Sequence, residues 1–408
     1  MLQSKLARTV SNISNASRTS KSSKKDSKVA SKASSIAGSV TGSVTGSPPG
    51  TPDDEYDNPL EGVSRWRLTA NAVALRSGAA FAFGLQNLSA PVPPAANRVI
   101  WLDSTLSSEW AGKEKIKVDV WLPPITTTTR PTGKVPAVIN FHGGGFVLGQ
   151  GTDDARWAAA VATALNAVVF SVNYRLAPGY PFPTPVEDSA DAILQIVARA
   201  HEFRVDTQKV LLSGFSAGGT LALASWNILQ DAGRWGYEFK LPVPEISGIV
   251  LFYPLLDWTM TRPQKRQTCG RPDMTLPQGM TDLFDASYVY PPRPRSERGD
   301  PRLSPGLMTD VMLDRLPPIH LCMCEFDMLL LEGQSFAQRA TSRGRRVTTR
   351  VVKAEKHAWD KPPPFTPKES VMVEYNEAIA SVKEWLENPN PMVGSAEADT
   401  QQCAKFII

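Results

Sequence analysis

Histidine and cysteine are scarce in this chain, with four of each among 408 residues. The cysteines, Cys269, Cys322, Cys324 and Cys403, form no C-x-x-C pair and no zinc-ligand spacing. A body of this size does not depend on disulfide staples, so reduced thiols in an intracellular, cytoplasmic setting are expected, with no metal and no cofactor. No run of about 18 apolar residues occurs, and no positively charged start leads into an apolar stretch, which argues against a membrane span and a secretory signal. Cys403 stands sixth from the end in "CAKFII" and cannot serve as a CaaX prenylation site. A charge excess is missing too. The formal net charge is +4, but the first fifty residues hold eight Lys/Arg and one Asp, so they carry +7 and the rest −3. A near-neutral body gives no electrostatic case for nucleic acid as the main partner.

What is there begins with a tail. Residues 1–60 are rich in Ser, Lys, Thr and Gly and almost free of aromatics, so they cannot bury enough apolar surface to offset their ordering entropy. This segment reads as a solvated, disordered tail. The alternatives are a mitochondrial transit-like peptide, since "MLQSKLARTV" is acid-free, and a phosphoregulated tether to an anionic membrane surface through Ser47-Pro48 and Thr51-Pro52. The stretch Trp66 to Leu85 is helix-compatible and Ala-rich, suited to lining a pocket or to packing on a core. Strand-like runs then alternate with helical ones: "IKVDVWL", "VPAVINF", a helix from Ala155, "AVVFSVNY", a helix from Pro185, "KVLLSG", a helix from Ala217, "ISGIVLFYP". That alternation predicts an α/β chain with a mostly parallel central sheet and helices on both faces. Thr184-Pro185-Val186-Glu187 reads as a capping box, which makes Glu187 a cap. After Asp257 a Pro- and Arg-rich insertion interrupts the pattern, a natural place for a lid. The alternation resumes at "PPIHLCMCEFD" and "RRVTTRVVKAEKH" and ends in a helix near Lys368 to Leu386.

Chemistry concentrates in "KVLLSGFSAGGTLALASW", where Gly214 to Gly218 match G-x-S-x-G between an apolar strand and an Ala/Leu helix. Flanking glycines permit a sharp turn that projects the Ser216 hydroxyl above the sheet. A serine hydroxyl is a weak nucleophile and needs a base, which in turn needs an orienting acid. With this turn the partners follow in the order Ser, then Asp or Glu, then His. His142 and His201 precede Ser216, and His320 lies inside a strand before the best acid, which leaves His357 in "VVKAEKHAW". Glu325, Asp327 and Glu332 compete as the acid. Asp327 is preferred because it falls where the apolar strand ends, whereas Asp310 and Asp314 read as surface or cap groups. The oxyanion formed on carbonyl attack needs pre-aimed N–H donors. Ala217 supplies one, and the glycine run in "NFHGGGFVLGQG" supplies the others through Gly144 and Gly145.

Together, "HGGGFVLG", "YRLAPGYPFPTPVED", "GFSAGG", "DPRLSP", "CEFDMLLLEG" and "KHAW" resemble the hormone-sensitive-lipase-like group of α/β-hydrolases over about residues 100 to 386. The resemblance implies an α/β-hydrolase fold in one domain, 61–388, with a helical cap built from about 61–95 and 257–299, followed by a flexible tail, 389–408. It also implies an esterase for short- to medium-chain acyl esters with no cofactor. Three departures stand out: Phe215 where Asp or Thr is usual, Gly179 where Glu is usual, and "HAW" where "HGF" or "HAF" is common. The first bears on subgroup and hence substrate preference.

The expected activity is therefore hydrolysis of a small-molecule ester through an acyl-enzyme on Ser216. Alternatives are acyl transfer or amide cleavage by the same groups, a non-catalytic small-molecule-binding protein on the same fold, and a scaffold directed to a membrane surface by the basic tail. Oligomeric state is left open.

Overall fold

The computed structural model of the chain describes residues 58–84, 91–107, 109–124, 133–361 and 367–388. The tails expected at 1–60 and 389–408 lie outside the described residues, except for positions 58–60. The elements run α1 (Arg65–Gly84), β1 (Arg98–Asp103), β2 (Lys115–Trp121), β3 (Val135–Phe141), α2 (Ala155–Ala164), β4 (Val168–Asn173), α3 (Thr184–Ala198), β5 (Val205–Phe215), α4 (Ala217–Gln230) and β6 (Ile246–Phe252). Then follow α5 (Arg262–Gln267), α6 (Gln278–Tyr288), α7 (Asp310–Leu313), β7 (Ile319–Phe326), α8 (Leu330–Ser342), β8 (Val347–Lys356) and α9 (Glu369–Glu387).

Eight strands form one sheet in the order β1-β2-β4-β3-β5-β6-β7-β8. The pairs β1/β2 and β2/β4 are antiparallel and all others parallel, as the strand–helix alternation predicts. Strand β1 was not among the expected strands: "RVIWLD" holds four apolar residues in a row but lies mostly exposed at the sheet edge. Along the central strands the side chains alternate between two cores. Val210 and Leu212 of β5, with Ile249 and Leu251 of β6, join the larger one under α3 and α4. Leu211 and Phe215, with Val250 and Phe252, join the other under α2 and α9. The period-2 pleat thus sends each strand's odd and even residues to opposite layers.

The segment from 58 to 84 and the insertion after Asp257 pack on each other. Leu68 of α1 meets Leu283 and Ala286 of α6 in a small third core. The Arg298 guanidinium pairs with Glu61 at 2.8 Å, both almost fully buried, and the Asn58 side-chain amide donates to the Asp282 carbonyl at 2.8 Å. Helix α1 packs on the body through the buried Leu68 and Ala72. Arg76 donates through Nε to the Val147 carbonyl and through Nη2 to the Ala177 carbonyl, at 2.7 and 2.8 Å, which lays the helix across the segment that follows the glycine run. No helix among the described residues is long and apolar enough to cross a membrane.

One local expectation fails. The helix α3 starts at Thr184 with Pro183 at the N-cap and no side-chain cap bond. Thr184 is therefore already helical and cannot cap. Glu187 instead turns inward, buried, and accepts from the Tyr237 hydroxyl at 3.0 Å; burial raises its carboxyl above the ordinary range.

Candidate active site

The loops at the carboxyl ends of β3, β5, β7 and β8 meet at one place. Between β5 and α4, Ser216 adopts φ 52°, ψ −118°, a conformation non-glycine residues enter only where surroundings enforce it. Its N–H donates to the Phe252 carbonyl at 2.8 Å. The flanking glycines are dictated by backbone crowding: a Cβ on Gly214 would lie 2.2 Å from the Gly218 carbonyl oxygen, and one on Gly218 would lie 1.9 Å from that of Phe141. Strand β5 and helix α4 can approach this closely only without side chains there.

Asp327 follows β7 and His357 follows β8, separated by 30 residues in the chain. Parallel pairing of the two strands brings their ends together. His357 Nδ1 lies 2.6 Å from Asp327 Oδ2, and His357 Nε2 lies 2.8 Å from Ser216 Oγ. A carboxylate accepts only, so Nδ1 carries the proton and Nε2 is free to accept the Ser216 O–H. Asp327 also accepts from the Leu329 N–H at 3.0 Å, which fixes the carboxylate on its own loop. Both Asp327 and His357 are buried. The competing acids have other partners: Glu325 accepts from Lys353 and the Ala354 N–H, while Glu332 pairs with Lys265 and accepts from the Leu256 N–H. Asp310 and Asp314 pair at the surface with Arg343.

The glycine run turns through positive φ at Gly144 (116°) and Gly145 (60°). The Gly144 carbonyl accepts from the N–H groups of Val147 and Leu148, at 3.1 and 3.0 Å, which anchors the loop. Among the described residues, the N–H groups of Gly144, Gly145 and Ala217 have no protein acceptor. Gly145 and Ala217 line the same cavity as Ser216 and His357, whereas Gly144 does not reach its wall. His142, which opens the run, stacks on Tyr174 and contacts the Gly143 carbonyl through Nδ1 at 2.7 Å. Burial pushes its imidazole down to about 4, so it stays neutral.

Other walls of the cavity come from the insertion and were not legible in the sequence. Phe284 of α6 sits so close over Gly145 that a Cβ there would lie 2.1 Å from its ring. Arg262 of α5 also lines the cavity; it pairs bidentately with Asp285, at 2.8 and 2.7 Å, so the pair is neutral overall. The remaining walls are largely apolar, and the cavity volume is about 20 Å³, room for roughly one water. Phe215 does not face this space. Its ring is fully buried in the opposite core, stacked on Phe252 at 4.5 Å, so the departure at this position does not touch the substrate wall directly.

A family model described as "alpha/beta hydrolase fold" matches residues 138–361. Carboxylesterase NlhH of Mycobacterium tuberculosis is 29% identical over 235 residues, which cover 57% of this chain and 67% of that protein. An arylesterase of Saccharolobus solfataricus is 29% identical over 236 residues, covering 58% and 72%. Among solved structures, the thermostable carboxylesterase EstE1 from a metagenomic library superposes with TM-score 0.63 at 27% identity, over 78% of this chain and 99% of that one. The Pyrobaculum calidifontis esterase superposes with TM-score 0.62 at 26% identity, over 78% and 93%. Because the family match spans more than half of the 408 residues, the chain belongs to the α/β-hydrolases, in their hormone-sensitive-lipase-like group.

Proposed function

We propose that the chain is a carboxylic ester hydrolase that cleaves small-molecule esters of short or medium acyl groups through an acyl-enzyme on Ser216. The observation that carries this reading is the continuous hydrogen-bonded line Ser216 Oγ, His357, Asp327, with steps of 2.8 and 2.6 Å, opening on one cavity. Esterase names among the relatives and structural neighbours support the same chemistry.

In the first half-reaction, His357 Nε2 takes the Ser216 proton as Oγ attacks the ester carbonyl carbon. The carbonyl electron pair becomes an oxyanion held by the N–H groups of Gly145 and Ala217, with Gly144 as the third candidate donor. Each effective donor lowers such a barrier by about 3–4 kcal/mol. Collapse of the intermediate expels the alcohol, which leaves with the proton from His357. Water then attacks the acyl-enzyme, His357 takes its proton, and the acid departs as Ser216 is restored. Asp327 keeps the imidazole in the required tautomer and stabilises its cationic form.

In this reading α1, α5 and α6 form the cap. With Phe284 over Gly145 and about 20 Å³ of space, room for an acyl group requires Phe284 and α6 to move outward. The neutral Arg262–Asp285 pair and apolar walls suit uncharged esters.

The test is hydrolysis of p-nitrophenyl esters from acetyl to decanoyl by wild type and Ser216→Ala. The expected result is turnover by the wild type and a fall of kcat by roughly 10³-fold or more in the variant. Equal rates would exclude nucleophilic catalysis at Ser216.

A further inference from the structure

Behind the nucleophile, outside the cavity wall, lies a buried ammonium group. Lys361 Nζ is 2.7 Å from Asp154 Oδ1 and 2.8 Å from Asp360 Oδ2, with its side chain 12% exposed. It also sits 3.6 Å from the centroid of the Phe215 ring. These contacts join three segments that meet at the site. Asp154 follows the glycine run and immediately precedes α2, Phe215 immediately precedes Ser216, and Asp360 and Lys361 belong to the turn that begins at His357.

That turn is under strain. Ala358 takes φ 59°, and the Lys361 N–H closes it on the Ala358 carbonyl at 3.1 Å. Asp360 accepts in addition from the hydroxyls of Tyr253 and Tyr375, at 2.5 and 2.8 Å. The Tyr253 ring stands edge-on to the His357 ring with centroids 4.8 Å apart. Asp154 is held on its other oxygen by the Asn140 amide at 2.8 Å. Two buried carboxylates thus converge on one cation, and an aromatic face covers that cation from the side of the nucleophile. Burial disfavours the charge, but Asp154 and Asp360 outweigh it and hold the ammonium above its ordinary range.

The geometry points to Lys361 as a positioning residue that clamps the His357 turn to the nucleophile turn and to the start of α2. Lys361 touches no reacting atom. It acts by keeping Asp360, and through Tyr253 the imidazole, in register with Ser216. This inference rests on the reading of His357 as the base. It also gives Phe215 a reason, since at a position where Asp or Thr is usual the ring supplies a π face for the ammonium. Removing the cation leaves Asp154 and Asp360 facing each other in a low-dielectric interior with only the neutral donors Asn140, Tyr253 and Tyr375. The segment able to yield is the strained His357 turn, and a displacement of about 1 Å at a catalytic group can lower turnover on the order of 100-fold.

The test uses the full chain, p-nitrophenyl butyrate, and a fluorophosphonate that reacts with an activated serine. Lys361→Met, shown folded by circular dichroism, is expected to lower kcat and the fluorophosphonate labelling rate by about 10- to 100-fold while KM stays within about threefold. Lys361→Met/Asp154→Asn removes one of the two carboxylates left without their cation and is expected to raise kcat about threefold over the single variant while leaving it below wild type, which a packing role alone would not produce. Wild-type rates in folded Lys361→Met, or a double variant as impaired as the single one, would overturn the clamp. If Lys361→Met does not fold, the double variant decides: a reduced kcat at unchanged KM supports the clamp, and a wild-type kcat refutes it. A wild type that neither hydrolyses the ester nor is labelled at Ser216 refutes the reading of His357 as the base, and the clamp with it. Labelling of Ser216 at equal rates in wild type and Lys361→Met refutes the clamp alone.

Discussion

The sheet side and the insertion side of the cavity are built differently. On the sheet side, backbone meets backbone: Gly214, Gly218 and Gly144 each have a main-chain carbonyl about where a Cβ would stand. On the insertion side, side chains do the work. Phe284 lies over Gly145, Arg262 grips Asp285, and Lys265 pairs with Glu332 between the insertion and α8. Main chain held by a parallel sheet cannot yield without losing its ladder, whereas a side chain changes rotamer at modest expense. The sheet side therefore holds geometry that chemistry needs, and the insertion side holds shape that can vary with substrate.

Three measurements would break or sharpen that contrast. The largest effect is expected at Asp327. In Asp327→Asn the amide no longer enforces the His357 tautomer, and kcat should fall about 10⁴-fold with the thermal midpoint little changed; near-normal turnover would move the acid role to another carboxylate. Next come the two glycines with positive φ. In Gly144→Ala the new Cβ would stand 2.0 Å from the Leu148 carbonyl oxygen, and in Gly145→Ala its three nearest atoms would all belong to the Phe284 ring. Gly144→Ala should thus lose both stability and turnover beyond rescue. The roughly 100-fold turnover loss expected for Gly145→Ala should be partly restored by adding Phe284→Ala. Equal behaviour of the two glycine variants, with or without Phe284, would erase the distinction between the walls. The smallest effect concerns selectivity. Phe284→Ala alone should raise kcat/KM for octanoyl relative to butyryl esters by about 10-fold, and an unchanged ratio across the p-nitrophenyl series would show that α6 does not gate chain length.

Much of the sheet was legible because its signals are local. The run Val135 to Phe141 is a strand with the expected bounds, and the strand before Gly214 and the helix from Ala217 meet where G-x-S-x-G predicts. Asp327 and His357 could be singled out because chain order and strand ends restrict the choice. Glu187 was misread because Pro183 at the N-cap starts the helix one residue early, which a four-residue pattern does not reveal. Phe284, Arg262 and Lys361 gave no signal at all. The contact of Lys361 with Phe215 and that of Phe284 with Gly145 each join residues more than a hundred positions apart, and composition carries no trace of such pairings.

By itself the sequence determined the period-2 apolar strands, the glycines that let β5, α4 and the loop after β3 approach one another, and the order of Ser216, Asp327 and His357. These depend on residue type and near neighbours, through sterics and backbone hydrogen bonding. Only the tertiary structure decided that Phe284 narrows the cavity, that Arg262 is neutralised by Asp285, and that the Lys361 ammonium lies buried between Asp154, Asp360 and the Phe215 ring. Those outcomes depend on which distant surfaces are pressed together, and in a low-dielectric interior such contacts set charge and shape more strongly than local sequence can.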